Sequence, residues 1–228
     1  MENVTGRNFG KLTGALALAG MFVCQMGCTT TGYQKGDSAA QGMQRAAAEV
    51  QAEGRAMDQT VQSLQALISS ENGDLRAPFK RYCRSLDYLV RAAQRTENTG
   101  RNMDEKNQAY LQAWDQQLQT IDYQHIRDLS EARRSEVTNH LEAIRLRYTQ
   151  SQEAIRPLIV YFEDIRRALS ADLTEGGLES LRGIAQNAND NVAKVQTALD
   201  ALTAELTKSS AHLSSVAYQR TEQTAQMP

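Results

Sequence analysis

The chain has 228 residues, with 25 lysines and arginines against 27 aspartates and glutamates and a formal net charge of −2. A nucleic-acid partner normally demands a clustered basic surface, and this balance offers none. Three cysteines rule out a disulfide-rich scaffold, and 41 % apolar residues are enough for one domain with a real core.

The N-terminus carries Arg7 and Lys11, then an apolar run over residues 12–23, then Gln25-Met26-Gly27-Cys28. An apolar run of about 12 residues is too short to cross the ~30 Å hydrocarbon layer as a helix, so residues 1–27 read as a secretory signal peptide. The cysteine directly after Gly27 fits the acylation site of a bacterial lipoprotein, although Gln25 stands where a leucine-like residue is usual. Cleavage without lipidation and an uncleaved anchor are the alternatives. Loss of Glu2, Arg7 and Lys11 with the signal leaves 23 basic against 26 acidic residues. Cys24 leaves as well and Cys28 is the expected lipid site, so only Cys83 remains as a free thiol, read as a partly buried small side chain on a helix.

Residues 28–37 are expected to form the lipidated cysteine and a polar, glycine-containing tether. The bundle domain is then expected over 38–217, with helices at about 38–69, 74–121, 125–173 and 175–217 and a disordered tail at 218–228. The first helix shows a seam of alternating four- and three-residue steps through Met43, Ala47, Val50, Gly54, Met57, Val61, Leu64 and Ile68. The second runs from Leu75 through Tyr82, Leu89, Thr96, Gly100, Met103, Asn107 and Trp114 to Ile121, with Asp74 suited to its N-cap. The third runs from Val137 through Ile144, Ile155 and Phe162 to Leu169, and Pro157 inside it should bend the helix. Thr174-Glu175-Gly176-Gly177 is expected to end that helix, and the fourth seam runs from Leu181 to Val216. No stretch alternates as strands do, so the class is all-α: an elongated antiparallel bundle of four long helices with coiled-coil-like packing.

Folding about the turns near 72, 122 and 175 puts residue 38 level with about 106, 138 and 212. A helix 2/helix 3 hairpin would then project on the order of 20 Å beyond helices one and four. Tyr110, Trp114, Leu118, Ile121, Tyr123 and Ile126 lie in that hairpin and form a possible interaction tip, for membrane or partner, or else simply the hairpin's own core. Thr96, Gly100 and Asn107 break the second seam in a poor helix-forming stretch. That stretch reads as a solvated or loosely packed segment where helix one ends, with a hinge or docking site as the other reading.

Four short stretches, Asn72-Gly73-Asp74-Leu75, residues 111–118 (LQAWDQQL), Arg145-Leu146-Arg147-Tyr148 and residues 156–162 (RPLIVYF), resemble the bacterial helical lipoproteins grouped as domain of unknown function 2959. The likeness spans roughly residues 50–206, and residues 166–173 (RRALSADL) depart from the basic, asparagine-rich stretch usual there. The resemblance implies a helical envelope lipoprotein and carries over no catalytic residues.

Catalytic chemistry is hard to assemble from the rest. A di-iron bundle needs two Glu-x-x-His pairs and two more carboxylates, whereas none of the three histidines, His125, His140 and His212, has a glutamate three residues before it, and Asp122 with His125 is a single Asp-x-x-His at a turn. Glu136 and His140 share a helix face, which is more often a surface pair than a metal site. No catalytic residue, metal or cofactor is expected. The expected function is a non-catalytic envelope spacer, adaptor or assembly subunit, anchored by its N-terminal lipid, facing the periplasm and in contact with an envelope protein or with itself. Thr29 after Cys28 favours the outer membrane. The alternative is a periplasmic binding module for an apolar ligand or helical partner.

Overall fold

The computed structural model describes residues 31–70, 73–186 and 188–215. These form five helices and no strand: α1 (Gly32–Ile68), α2 (Arg76–Leu118), α3 (Gln124–Ala171), α4 (Glu175–Gln186) and α5 (Ala188–Leu213). The chain is a helical bundle, as the seams imply. The expected signal segment at 1–27, Cys28 and the expected tail at 218–228 lie outside the described residues. So does Asn187, on either side of which the expected helix at 175–217 is described as α4 and α5.

Each helix keeps its seam inward. One continuous apolar cluster joins Leu64, Leu67, Tyr82, Phe162 and Leu169 at the Gly73 end to Met43, Met103, Val137, Leu141 and Leu206 towards the other. Contacts between helices run in opposite directions along the chain, so neighbours are antiparallel. Gly36 faces Tyr110 and Gly42 faces Met103. The Tyr82 hydroxyl donates to the Phe162 carbonyl at 2.6 Å, while Trp114 Nε1 donates to Ser130 Oγ at 2.9 Å. Asp37 accepts from the Ser215 backbone and hydroxyl, both at 2.8 Å.

α1 is the most enclosed element. Its buried positions follow two seams side by side, Met43, Ala46, Val50, Glu53, Met57, Thr60, Leu64 and Leu67 on one and Ala40, Ala47, Gly54 and Val61 on the other. A helix buried on one stripe meets one groove; two adjacent stripes let α1 pack on α2 and on α4 and α5.

The expected tether is corrected by this helix, which begins at Gly32 and not at 38. Two causes act together. The Gln34 side chain accepts from the Thr31 backbone N–H at 2.9 Å, half of a capping box. Gly36 then packs so closely on Tyr110 that an added Cβ would lie 3.2 Å from its ring, so this glycine serves close approach and not flexibility. Gly32 lies against Gln117, and α1 therefore covers the hairpin as far as that residue. The projection beyond α1 shrinks from the expected ~20 Å to roughly 8 Å.

The Thr174-Glu175-Gly176-Gly177 stretch also works differently from expectation. Thr174 Oγ1 accepts from the Gly177 N–H at 3.1 Å and so caps the start of α4 rather than closing α3. Gly177 is required there, because a Cβ would collide with the Asp172 carbonyl.

α3 passes through Pro157 without interruption, and the proline ring faces solvent. The Glu153 carbonyl nonetheless loses its helical donor. Pro157→Ala restores that donor and is expected to raise stability by about 1–3 kcal/mol in thermal unfolding followed by circular dichroism. A lower melting temperature would mean that the proline sets a bend on which α3 packing relies.

Candidate functional site

The strongest chemical anomaly lies halfway along α1. Glu53 occupies an inward position of the seam and is 0 % exposed. Neither carboxylate oxygen has a hydrogen-bond partner, and the adjacent Thr96 Oγ1 on α2 lacks one too. Burial of an unpaired carboxylate penalises its charged form, which pushes the Glu53 pKa up to about 7; the Thr96 hydroxyl beside it pulls weakly the other way. The Tyr148 hydroxyl on α3 donates to the Thr96 backbone carbonyl, and its ring lies over Gly100 so tightly that a methyl group there would overlap it. Burial first, and then the nearby Glu53 carboxylate, hold the Tyr148 phenol well above its ordinary pKa.

Contact register carries this polar level across the bundle. Gln196 of α5 packs on Gly54, and its Oε1 is buried without a partner, as is Nε2 of Gln152 on α3. Buried polar groups are nearly always satisfied, so four helices contributing unpaired atoms near one height is unusual.

Tyr148 is also one wall of a groove of about 620 Å³ between α2 and α3. Met103, Leu141 and Ile144 supply its apolar surface, and Arg101, Arg145 and Arg156 stand at the edge among Glu97, Asp104 and Glu153. Arg145 is tied to Asp104 at 2.6 Å.

The expected solvated segment is corrected here. Thr96, Gly100 and Asn107 are all buried, α2 runs unbroken through them, and helix one does not end beside them. Gly100 is required because Tyr148 occupies the space above it, and the Thr96 hydroxyl lies beside the buried Glu53 carboxyl. Sequence reasoning missed Glu53 altogether. The seam Met43, Ala46, Val50, Glu53, Met57, Thr60, Leu64, Leu67 was available as the signal, with a carboxylate at an inward step.

The tip residues divide. Leu118 is buried, while Tyr110 and Trp114 are half-buried with rings 5.4 Å apart, and Trp114 is bonded to Ser130. Ile121 is half-buried, and its carbonyl accepts from both Arg127 Nε, at 3.0 Å, and Nη2, which ties the turn shut. Tyr123 and Ile126 are exposed. The expected tip therefore splits into inner core and outer surface because α1 reaches Gln117.

Elsewhere, His140 stacks on His212 with centroids 5.8 Å apart, and His140 lies 4.0 Å from Glu136 and 3.8 Å from Glu205. Among the described residues no group of three or more His, Cys, Asp or Glu is arranged to hold a metal ion, and no helix is long and apolar enough to cross a membrane. The Cys83 thiol is half-buried, and burial raises its pKa, with Arg166 opposing, so its thiolate is scarce at neutral pH.

Comparison with known families matches residues 26–216 to the family described as "Protein of unknown function (DUF2959)", and the chain belongs to that family. No curated protein and no solved structure matched.

Glu53 gives a signed prediction. Between its ordinary value of 4.5 and about 7 the unfolded chain ionises while the folded carboxyl keeps its proton. Stability should fall as pH rises through that window, by about 3 kcal/mol, and level off above it. Glu53→Gln should abolish the slope and exceed the natural protein by about 2 kcal/mol at pH 8, read from urea midpoints at pH 5 and pH 8. Parallel pH profiles for the two proteins would show that Glu53 does not titrate in this way.

Proposed function

We propose that this member of the DUF2959 family is a non-catalytic lipoprotein of the cell envelope, acting as a helical spacer, adaptor or assembly subunit. In this reading residues 1–27 are removed as a signal, Cys28 is acylated, and the domain faces the periplasm from the outer membrane. α4 and α5 act as one interrupted fourth helix, which gives an up-down-up-down four-helix bundle with coiled-coil-like seams. The observation that carries the reading is the continuous apolar cluster along helices of 43 and 48 residues. At 1.5 Å per residue these are roughly 65–70 Å long, a shape suited to holding two things apart.

A second reading rests on the α2/α3 groove of about 620 Å³, whose apolar wall suits an apolar ligand or a partner helix and would make the domain a binding module. Organic extraction of the purified protein separates the two, since a binder retains a stoichiometric apolar compound and a spacer does not.

The anchor itself has a direct test. The mature protein should begin at Cys28 with acyl groups visible in its intact mass, and Cys28→Ser should abolish incorporation of labelled fatty acid. A mature mass that still includes residues 1–27, or label that survives the substitution, would refute the lipid anchor.

A further inference from the structure

Eight large apolar side chains are exposed among the described residues, and four of them, Tyr33 (62 %), Tyr123 (68 %), Ile126 (54 %) and Leu129 (61 %), sit at one end of the bundle. The other four, Tyr88, Leu146, Val160 and Ile184, lie on the sides of the body on α2, α3 and α4, away from that end. Scattered exposure is ordinary; concentration at one end calls for a partner. Ile126 and Leu129 are spaced three apart in the first turns of α3 and so share one helical face, Tyr123 is the N-cap residue just before them, and Tyr33 lies in the first turn of α1.

The same end is where the N-terminal segment joins the fold. Gly32 packs against Gln117, and four residue steps separate it from Cys28, a reach of at most about 14 Å. Beyond Gln117 the hairpin extends only roughly 8 Å. An acyl group on Cys28 would thus hold the hairpin turn at the lipid surface whatever path the short connection takes.

We propose, resting on the lipid-anchor reading above, that the hairpin turn is a second membrane contact: Tyr123, Ile126 and Leu129 enter the interfacial layer of the anchoring leaflet, with Tyr33 at its rim, and stand the bundle upright. The dimensions agree, because amphipathic elements that lie on a bilayer sink about 5–10 Å into it. Tyrosine suits the boundary, with an apolar ring and a polar hydroxyl. The charges decide the type of surface. Asp122, Asp128 and Glu131 outnumber Arg127 and Lys35 around the patch, so attraction to anionic lipid does not drive the contact, and apolar insertion into a zwitterionic surface does. Arg127 is moreover engaged with the Ile121 carbonyl and keeps the turn rigid as it enters.

The test uses the full lipoprotein, processed in its membrane and reconstituted in vesicles of phosphatidylethanolamine and phosphatidylcholine. In a Cys83→Ser background, Ile126→Cys and, at the opposite end, Ala77→Cys are each labelled with an environment-sensitive fluorophore. Nitroxide lipids quench the probe at 126 several-fold more than the probe at 77, and emission at 126 moves to shorter wavelength. Equal quenching at the two positions on an acylated chain overturns the tip contact while leaving the anchor intact. A probe at 126 shielded from aqueous iodide yet untouched by lipid nitroxide also overturns it, because a second copy or residues 216–228 then cover the patch. Intact mass without acyl groups overturns the anchor itself and removes the premise.

Discussion

The burial of α1 along two adjacent seams is the constraint on which the rest of this structure depends. A helix enclosed on both sides needs small residues where its neighbours come closest, and α1 supplies Gly36, Ala39, Ala40, Gly42, Ala46, Ala47, Gly54 and Ala56. Gly42 and Gly54 illustrate the fit, since an added Cβ would sit 3.3 Å from Lys106 and 3.4 Å from Gln196. Glycine inside a helix costs about 1 kcal/mol relative to alanine, and close packing offsets that cost only where neighbours occupy the space. The same fit fixes the register of α2 and α5 against α1, and through them the height of α3. It also extends α1 to Gly32, which brings the N-terminal connection beside the hairpin turn.

Within that frame, the level of Glu53 is where consistency breaks. A leucine or alanine at that step would continue the apolar seam, and a buried carboxylate without partners weakens the fold near neutral pH. Proteins accept such a loss where it specifies register or answers to a change of conditions. Tyr148 links the level to the groove: its ring is a groove wall, its hydroxyl holds the Thr96 carbonyl, and Glu53 lies behind it. Tyr148 thus places the buried Glu53 carboxyl directly behind a wall of the groove between α2 and α3.

Much of this was legible from spacing alone. The seams gave the helices, and counting back from the turns placed residue 38 near 106 and 212, close to the observed neighbours Gly36 with Tyr110 and Asp37 with Ser215. Counting worked because antiparallel neighbours of constant rise share one linear relation. Composition misled at residues 32–37, where glycine and polar residues suggest a tether; only the tertiary neighbour Tyr110 shows that Gly36 is a packing residue. It misled again at Thr96, Gly100 and Asn107, which are all buried; at the first two the cover includes Tyr148 and Glu53 arriving from other helices. Glu53 itself was hidden by choosing one of two overlapping seams. The exposed cluster of Tyr123, Ile126 and Leu129 was half visible, since where α1 ends decides which hairpin residues are covered.

Hydrogen exchange on the intact chain, read by mass spectrometry, tests the central claim that α1 is one enclosed helix from its first turn. Amides between residues 36 and 42 should exchange with the slow kinetics of the core around Met43 to Leu67, because Gly36, Ala39, Ala40 and Gly42 are buried in the same packing. Exchange of that segment at the rate of a free peptide would contradict the account, detach the N-terminal connection from the hairpin, and restore the flexible tether that its composition suggests.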